Sequence, residues 1–205
     1  YEMWIGLVVS EMCIRDSIKR VKEIISDLKA FTHQGPDNFI HTDIEECIDN
    51  AVRIFKSGIS SNIKITTNIR KNLPNIMANP GQIQQVIINL LVNADHAMQP
   101  EGGLVSVQAL QLDDHVVVEV EDTGSGMDEE TRNNLFTPFF TTKAVGEGTG
   151  LGLSVSYAIL EAHQTTIDVT SEPNQGTTFT LSFPCQESKS VSYTHLRAHE
   201  AYPHL

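Results

Sequence analysis

The stretch over residues 121–153, EDTGSGMDEETRNNLFTPFFTTKAVGEGTGLGL, constrains the fold more than any other part of the chain. It opens where a β-branched run, Val116-Val-Val-Glu-Val120, gives way to Asp122-Thr-Gly124-Ser-Gly126. A strand that ends in a carboxylate and then alternating glycines sets a fixed anion beside backbone that other groups can approach closely. It closes on Gly146-Glu-Gly148-Thr-Gly150-Leu-Gly152-Leu153, ahead of an apolar pattern that predicts a helix over 154–163. Glycines before a helix let backbone N–H groups converge on a phosphate, and the helix dipole favours the anion. One end suits a base or sugar and the other suits phosphates, which together make the pattern of a nucleotide site. Glycine-rich turns are also common as plain turns, so either cluster alone leaves both readings open.

A third element supports the site reading. Asn79-Pro80-Gly81-Gln82 combines an N-cap, proline at the first helical position and glutamine three residues after the cap, and it opens a helix over 80–98. Val86, Ile87, Leu90, Leu91, Ala94 and Met98 give that helix a wide apolar face, with Asn89 and Asn93 stacked at its edge. Asparagine is a mediocre helix former, so the pair needs a reason. Two hydrogen-bonded boundary residues would be one. An amide oxygen for a hard cation such as Mg²⁺, which takes oxygen ligands and keeps waters and phosphates in its shell, would be another.

The remaining pattern alternates strands and helices. A helix is expected over 18–31, with apolar Ile18, Val21, Ile24, Ile25, Leu28 and Phe31, stopped by Gly35-Pro36. A short strand over 38–41 precedes a capping box, Thr42-Asp-Ile-Glu45, and a helix that ends near Gly58. Strands are expected over 63–69, 76–78, 104–110, 115–120, 166–170 and 177–183, with hairpin turns at Asp113-Asp114 and Asn174-Gln-Gly176. The 205 residues suffice for one domain with extensions. The 14 basic against 26 acidic residues, net −12, argue against nucleic acid or an anionic membrane surface as main partner. Cys13, Cys47 and Cys185 have no metal-type spacing and read as free thiols of a reducing cytoplasm. The apolar run over 3–9 is too short to span a bilayer and lacks the basic flank of a signal peptide.

Five blocks, in order, resemble the ATP-binding domain of sensor histidine kinases, within the gyrase–Hsp90–histidine kinase–MutL ATPase superfamily. Asn89-Leu-Leu-Val-Asn93-Ala94 resembles the N box, and Asp122-Thr-Gly124-Ser-Gly126 the first glycine box. Phe136-Thr-Pro-Phe139-Phe140-Thr-Thr-Lys143 resembles the F box, Gly148-Thr-Gly150-Leu-Gly152-Leu153 the second glycine box, and Gly176-Thr177-Thr178-Phe179 the last glycine motif. Ordered motifs in one chain are far more specific than any of them alone. The resemblance implies the α/β (α+β) fold named after Bergerat: a two-layer sandwich, a mixed sheet with helices on one face. It also implies ATP and Mg²⁺ as ligands.

Residue by residue, the resemblance makes Asn93 the Mg²⁺ ligand, with Asn89 beside it near the phosphates. Asp122 would accept the adenine amino group, Gly124 and Gly126 would let the base approach, and Thr177 would share a water with Asp122. Gly148, Thr149, Gly150, Leu151 and Gly152 would form the phosphate-facing turn, and residues 141–148 a lid. Lys143 reads either as a phosphate contact or as a solvated lid lysine, and His96 either faces the γ-phosphate or lies on the surface. Phe136, Phe139 and Phe140 are expected to pack and anchor the lid. Hydrolysing relatives carry glutamate as general base four residues before the Mg²⁺-binding asparagine. Here that position is Asn89, and an amide takes no proton, which favours phosphoryl transfer over hydrolysis.

The resemblance runs over residues 17–184. It implies three segments: the end of the second dimerisation helix and a linker (17–35), the catalytic domain (36–184), and ends (1–16 and 185–205) that match nothing in the family. Those ends, with Glu11-Met-Cys-Ile-Arg-Asp16 and Ser192-Tyr-Thr-His-Leu-Arg-Ala-His-Glu200, resemble translated sequencing-adapter read-through and are read as non-native. The phosphoacceptor motif of the family, His-Glu-Leu/Ile-Arg-Asn-Pro, does not occur, and His33 falls in the linker rather than at an acceptor position. Gln164-Thr165 stands where the family commonly has a glycine pair. The implied partners are the dimerisation and phosphoacceptor domain of the same kinase and a response regulator. The implied setting is a cytoplasm-facing domain of a homodimer, with room for a membrane anchor elsewhere in the full-length protein. Two other readings stay beside this one: a nucleotide-sensing module without transfer, and a serine kinase of the anti-sigma type.

Overall fold

The computed structural model describes residues 39–58, 62–143 and 148–185. The expected helix over 18–31, His33, Cys13, both terminal segments and the middle of the expected lid lie outside the described residues. A short strand β1 (Ile40–Thr42) leads into helix α1 (Ile44–Gly58), followed by β2 (Ile63–Ile69) and β3 (Ile76–Ala78). Helix α2 (Pro80–Ala97), the hairpin β4 (Gly103–Leu112) and β5 (His115–Asp122), and a short helix α3 (Glu129–Asn134) come next. Helix α4 (Gly152–Ala162) and the hairpin β6 (Thr166–Ser171) and β7 (Thr177–Pro184) complete the chain.

The main sheet runs β2-β4-β5-β7-β6. Strands β2 and β4 pair parallel and the other neighbours antiparallel, so the sheet is mixed as expected. Period-two alternation sends Val105, Val107 and Ala109 of β4, Val116, Val118 and Val120 of β5, and Phe179, Leu181 and Phe183 of β7 to one buried face. That face shares a single core with Ile44, Ile48, Ala51 and Phe55 of α1, Ile83, Val86, Ile87, Leu90 and Leu91 of α2, and Val155, Ile159 and Leu160 of α4. Helix α2 is the middle helix, packed against α1 on one side and α4 on the other. The result is the two-layer α/β sandwich. A second, small sheet pairs β1 with β3, and Ile76 bridges from it to Cys185 after β7.

Several local expectations change. The N-cap of α1 is Asp43, whose Oδ1 accepts the Glu45 N–H at 2.8 Å, and not Thr42. Thr42 is the last residue of β1, and its buried hydroxyl donates to the Ala78 carbonyl of β3, so a tertiary bond takes the group that the local pattern assigns to the cap. Helix α4 begins at Gly152, two residues before the apolar pattern starts, so the last glycine of the second glycine box is already helical. Helix α3 has no buried residue and no apolar periodicity, and so gives no sequence signal beyond its N-cap, Asp128, which accepts from the Thr131 N–H at 2.8 Å. The α2 N-cap forms as expected, with Asn79 accepting from the Gly81 and Gln82 amides. Cys47 and Cys185 are free, and burial, with Glu46 and Asp43 nearby, pushes the Cys47 thiol up to about 11.

Candidate functional site

Asp122 is the last residue of β5, and antiparallel register sets it opposite Thr177, the first residue of β7. Both are buried, as is Ser171 at the end of β6. The Asp122 carboxylate accepts the Gly124 N–H at 2.8 Å. Burial raises its pKa above the ordinary 3.8, an effect that backbone hydrogen bonds from Gly124 and Thr177 oppose. The first glycine box is fastened on both sides: Ser125 N–H donates to the Ala97 carbonyl at the end of α2, and its own carbonyl accepts from Asn174. Gly176 has φ +81, and a Cβ there would stand 2.0 Å from the Asp122 carbonyl oxygen, so only glycine lets the β6–β7 turn close over this strand end.

Ser171 was not among the expected site residues. Its Oγ accepts from Met127 N–H at 2.9 Å, donates to the Gly176 carbonyl at 2.9 Å, and lies 3.0 Å from Thr177 Oγ1. It therefore ties the first glycine box to the last glycine motif. One signal in the sequence points to it: position 171 continues the inward-facing series Ile167, Val169, where a polar residue is out of pattern.

The other end of the site is built from α2 and α4. Asn89 Nδ2 donates to the Gly152 carbonyl and to Ser156 Oγ, each at 3.1 Å, and so joins the N box to the first turn of the helix behind the second glycine box. Ser156 is a further member that the motifs did not name. Asn93, one turn on and half-buried, has no side-chain hydrogen bond to any described residue. Gly150 has φ +65 and accepts through its carbonyl from Phe139 N–H, and a Cβ there would lie 2.4 Å from the Phe139 carbonyl carbon. The F box and the second glycine box thus interlock backbone to backbone. Thr149 Oγ1 accepts from Leu151 N–H, and the buried Leu151 caps α4 with no side-chain bond of its own.

Beside this turn, Lys143 Nζ lies 2.7 Å from His96 Nδ1. An ammonium only donates, so this contact needs a neutral His96 with its proton on Nε2. Gly148 lies against Thr141 and Lys143. Phe136 packs on Tyr157 with ring centroids 5.0 Å apart. Phe139 does not, being 72% exposed: its φ of +67 and its tie to Gly150 turn the ring outward. Helix α2 links the two ends, holding Ser125 through Ala97 and Gly152 through Asn89. Asn89, Asn93 and His96 thus line up along α2, Asp122, Gly124, Gly126 and Thr177 gather at the strand ends, and Lys143, Gly148, Thr149, Gly150 and Leu151 lie before α4, of which Gly152 is the first residue.

A buried carboxylate among glycine turns at one end, and a glycine turn running into a helix at the other, define a nucleotide-binding α/β sandwich. Residues 78–187 match the family described as "Histidine kinase-, DNA gyrase B-, and HSP90-like ATPase". Sporulation kinase E of Bacillus subtilis (strain 168) is 33% identical over 190 residues, which are 92% of this chain and 24% of that kinase. The nucleotide-free catalytic domain of histidine kinase ThkA superposes with a TM-score of 0.64 at 30% identity, covering 72% of this chain and 96% of that domain. Full-length ShkA, solved with AMPPNP, superposes with a TM-score of 0.70 at 25% identity over 84% of this chain and 37% of its own. The chain belongs to the histidine kinase-, DNA gyrase B- and HSP90-like ATPase family, and its described residues form the family's ATP-binding domain. It spans about a quarter of the length of the sporulation kinase it matches.

Proposed function

We propose that the domain binds Mg²⁺-ATP along α2 and donates the γ-phosphate to a histidine on a dimerisation helix, as the catalytic part of a two-component sensor histidine kinase. The observation that carries this reading is the double fastening of α2. Asn89 and Ala97, its contacts to the two ends of the site, are eight residues apart, roughly 12 Å of helix axis. That separation suits an extended nucleotide with its base at Asp122 and its phosphates at the second glycine box. Asp122 accepts the adenine amino group, with Thr177 beside it, while Gly124 and Gly126 admit the base. The backbone of Gly148, Thr149, Gly150, Leu151 and Gly152 faces the phosphates at the N-terminus of α4.

Mg²⁺ fits the residues present in one way only. Among the described residues no group of three or more His, Cys, Asp or Glu is placed to hold a metal. The half-buried Asn93 amide, unpartnered among the described residues, offers a single neutral oxygen. That donor set suits an ion that arrives with the phosphates rather than a resident metal. Bound there, Mg²⁺ would neutralise charge on the phosphate oxygens. Lys143 and His96 add a cation and a second polar group on the same side. Asn89 has both its amide hydrogens directed at Gly152 and Ser156, and it cannot act as general base, so transfer to a supplied nucleophile is favoured over hydrolysis.

On this reading the acceptor is the dimerisation domain of the same kinase. A response regulator takes the phosphate next, and the full-length protein is a homodimer with this domain in the cytoplasm. Sensor kinases among the relatives support the assignment. No described helix is long and apolar enough to cross a membrane. The test uses the chain with Mg²⁺, γ-labelled ATP and a dimerisation-helix protein as acceptor. Label on the acceptor histidine, lost with Asn93→Ala, is the expected result. ATP bound by the chain with no transfer to any acceptor tried would favour a nucleotide-sensing module instead.

A further inference from the structure

The buried hydroxyls behind Asp122 have a fixed donor order. Ser171 has one hydroxyl hydrogen and two lone pairs. Met127 N–H occupies one lone pair, and the hydrogen goes to the Gly176 carbonyl. The remaining contact, 3.0 Å to Thr177 Oγ1, must then be donated by Thr177 into the second lone pair of Ser171. That uses the only hydrogen of Thr177 and leaves its oxygen facing the site as an acceptor. A reversed order would strip the Gly176 carbonyl of this donor, at a turn already pressed against Asp122.

We infer that Ser171 is a positioning residue for base specificity: by holding the Thr177 hydroxyl as an acceptor, it selects purines with an amino group at position 6 over those with a carbonyl there. Register sets Thr177 opposite Asp122, so two acceptors stand side by side at the strand ends. An exocyclic amino group supplies hydrogens to such a pair. A 6-oxo group brings a third acceptor, which finds no donor and leaves buried lone pairs facing each other. A freely rotating Thr177 hydroxyl would blunt this difference, because it could turn and donate to the carbonyl. Ser171 stops the turn without touching the nucleotide.

The inference rests on the ATP-site reading given above, and the test separates the two. Binding of Mg²⁺-ATP and of Mg²⁺-ITP, its 6-oxo counterpart, is measured by calorimetry on the full chain, on Ser171→Ala, on Thr177→Val and on the double variant. The wild type is expected to prefer ATP. Ser171→Ala is expected to reduce the ATP-to-ITP ratio about tenfold, the worth of one hydrogen bond made or missed in a closed site. In the Thr177→Val background Ser171→Ala should leave the ratio unchanged, since the effect runs through the Thr177 hydroxyl. Equal losses for both nucleotides in Ser171→Ala, with the ratio kept, would make Ser171 a structural residue only and overturn the inference while leaving the ATP site standing. Should Ser171→Ala fail to fold, Thr177→Val decides: a ratio equal to the wild type's overturns it. A wild type that binds neither nucleotide overturns the ATP-site reading and this inference with it.

Discussion

Gln164 holds a backbone conformation made for glycine, and replacing it should stabilise the protein. Helix α4 ends in a Schellman motif: Gln164 N–H bonds the Glu161 carbonyl at 3.0 Å, and Thr165 N–H bonds the Leu160 carbonyl at 2.9 Å. The motif requires a left-handed residue, and Gln164 supplies it with φ +55. For a residue with a Cβ this costs about 1–2 kcal/mol. Its side chain is exposed and makes no hydrogen bond to any described residue, so truncation removes no bond. Glycine loses more chain entropy on folding, about 0.5–1 kcal/mol. The difference favours Gln164→Gly by about 0.5–1 kcal/mol, which for a chain of this size raises Tm by about 1–4 °C. Thermal unfolding followed by circular dichroism reads this directly. The neighbouring position is an internal control. Thr165 is buried, is absent from the positive-φ residues and donates through its hydroxyl to the His163 carbonyl, so Thr165→Gly should destabilise. A Tm for Gln164→Gly at or below that of the wild type would refute the strain argument. So would a gain of equal size from Thr165→Gly.

Two further outcomes follow from the site and one from the far end of α4. Gly150→Ala puts a Cβ 2.4 Å from the Phe139 carbonyl carbon at a positive φ, and should weaken ATP binding at least tenfold and lower stability by about 2 kcal/mol or more, read by calorimetry and urea unfolding. On the proposed reading Asp122 accepts from the base, most strongly when ionised, and burial holds its pKa above 3.8; ATP affinity should therefore fall as pH drops through that raised value, and Asp122→Asn should show no such step. His163 is buried and neutral, its pKa lowered below 6.5 by desolvation. Its unfolded form takes up a proton first as pH falls, so stability should drop between pH 6.5 and the lower folded value, a slope absent from urea titrations of His163→Gln.

Local chemistry made much of this fold legible in the chain. Asn79-Pro80-Gly-Gln starts α2 because an asparagine cap, a proline and the amides they satisfy are all within one turn. The β4–β5 hairpin reads from alternation, and its turn from Asp113, whose φ of +51 an aspartate tolerates. What stayed hidden depends on distant partners. Thr42 and Asp43 are equally good caps by composition, and only the Ala78 carbonyl decides between them. The glycine boxes and the N box marked the two ends of the site, but nothing local says that Asn89 spends its amide hydrogens on Gly152 and Ser156, residues 63 and 67 positions further along the chain. Ser171 is hidden for the same reason: a serine at a strand end matters only once Met127 and Gly176 have been brought to it.

The bonds between α2 and α4 show why the site belongs to the core rather than to its loops. The helices touch at two polar points. Near the site Asn89 bonds the start of α4, and at the far end His163 accepts the Asn79 N–H through Nε2 at 3.0 Å while Nδ1 donates to the Ile159 carbonyl. Residue numbers rise along α2 as they fall along α4 between these points, so the helices pack antiparallel and each bond fixes one end. Between them lie Ile83, Val86 and Ile87 of α2 and Val155, Ile159 and Leu160 of α4, all buried. A slide of α4 by one residue, about 1.5 Å, would break both bonds and unseat these side chains together. The turn proposed to face the phosphates is thus carried on a helix whose position the core dictates, and the carboxylate proposed to face the base on a central strand of the same core. The separation of the two ends of the site is therefore set by the packing of the core.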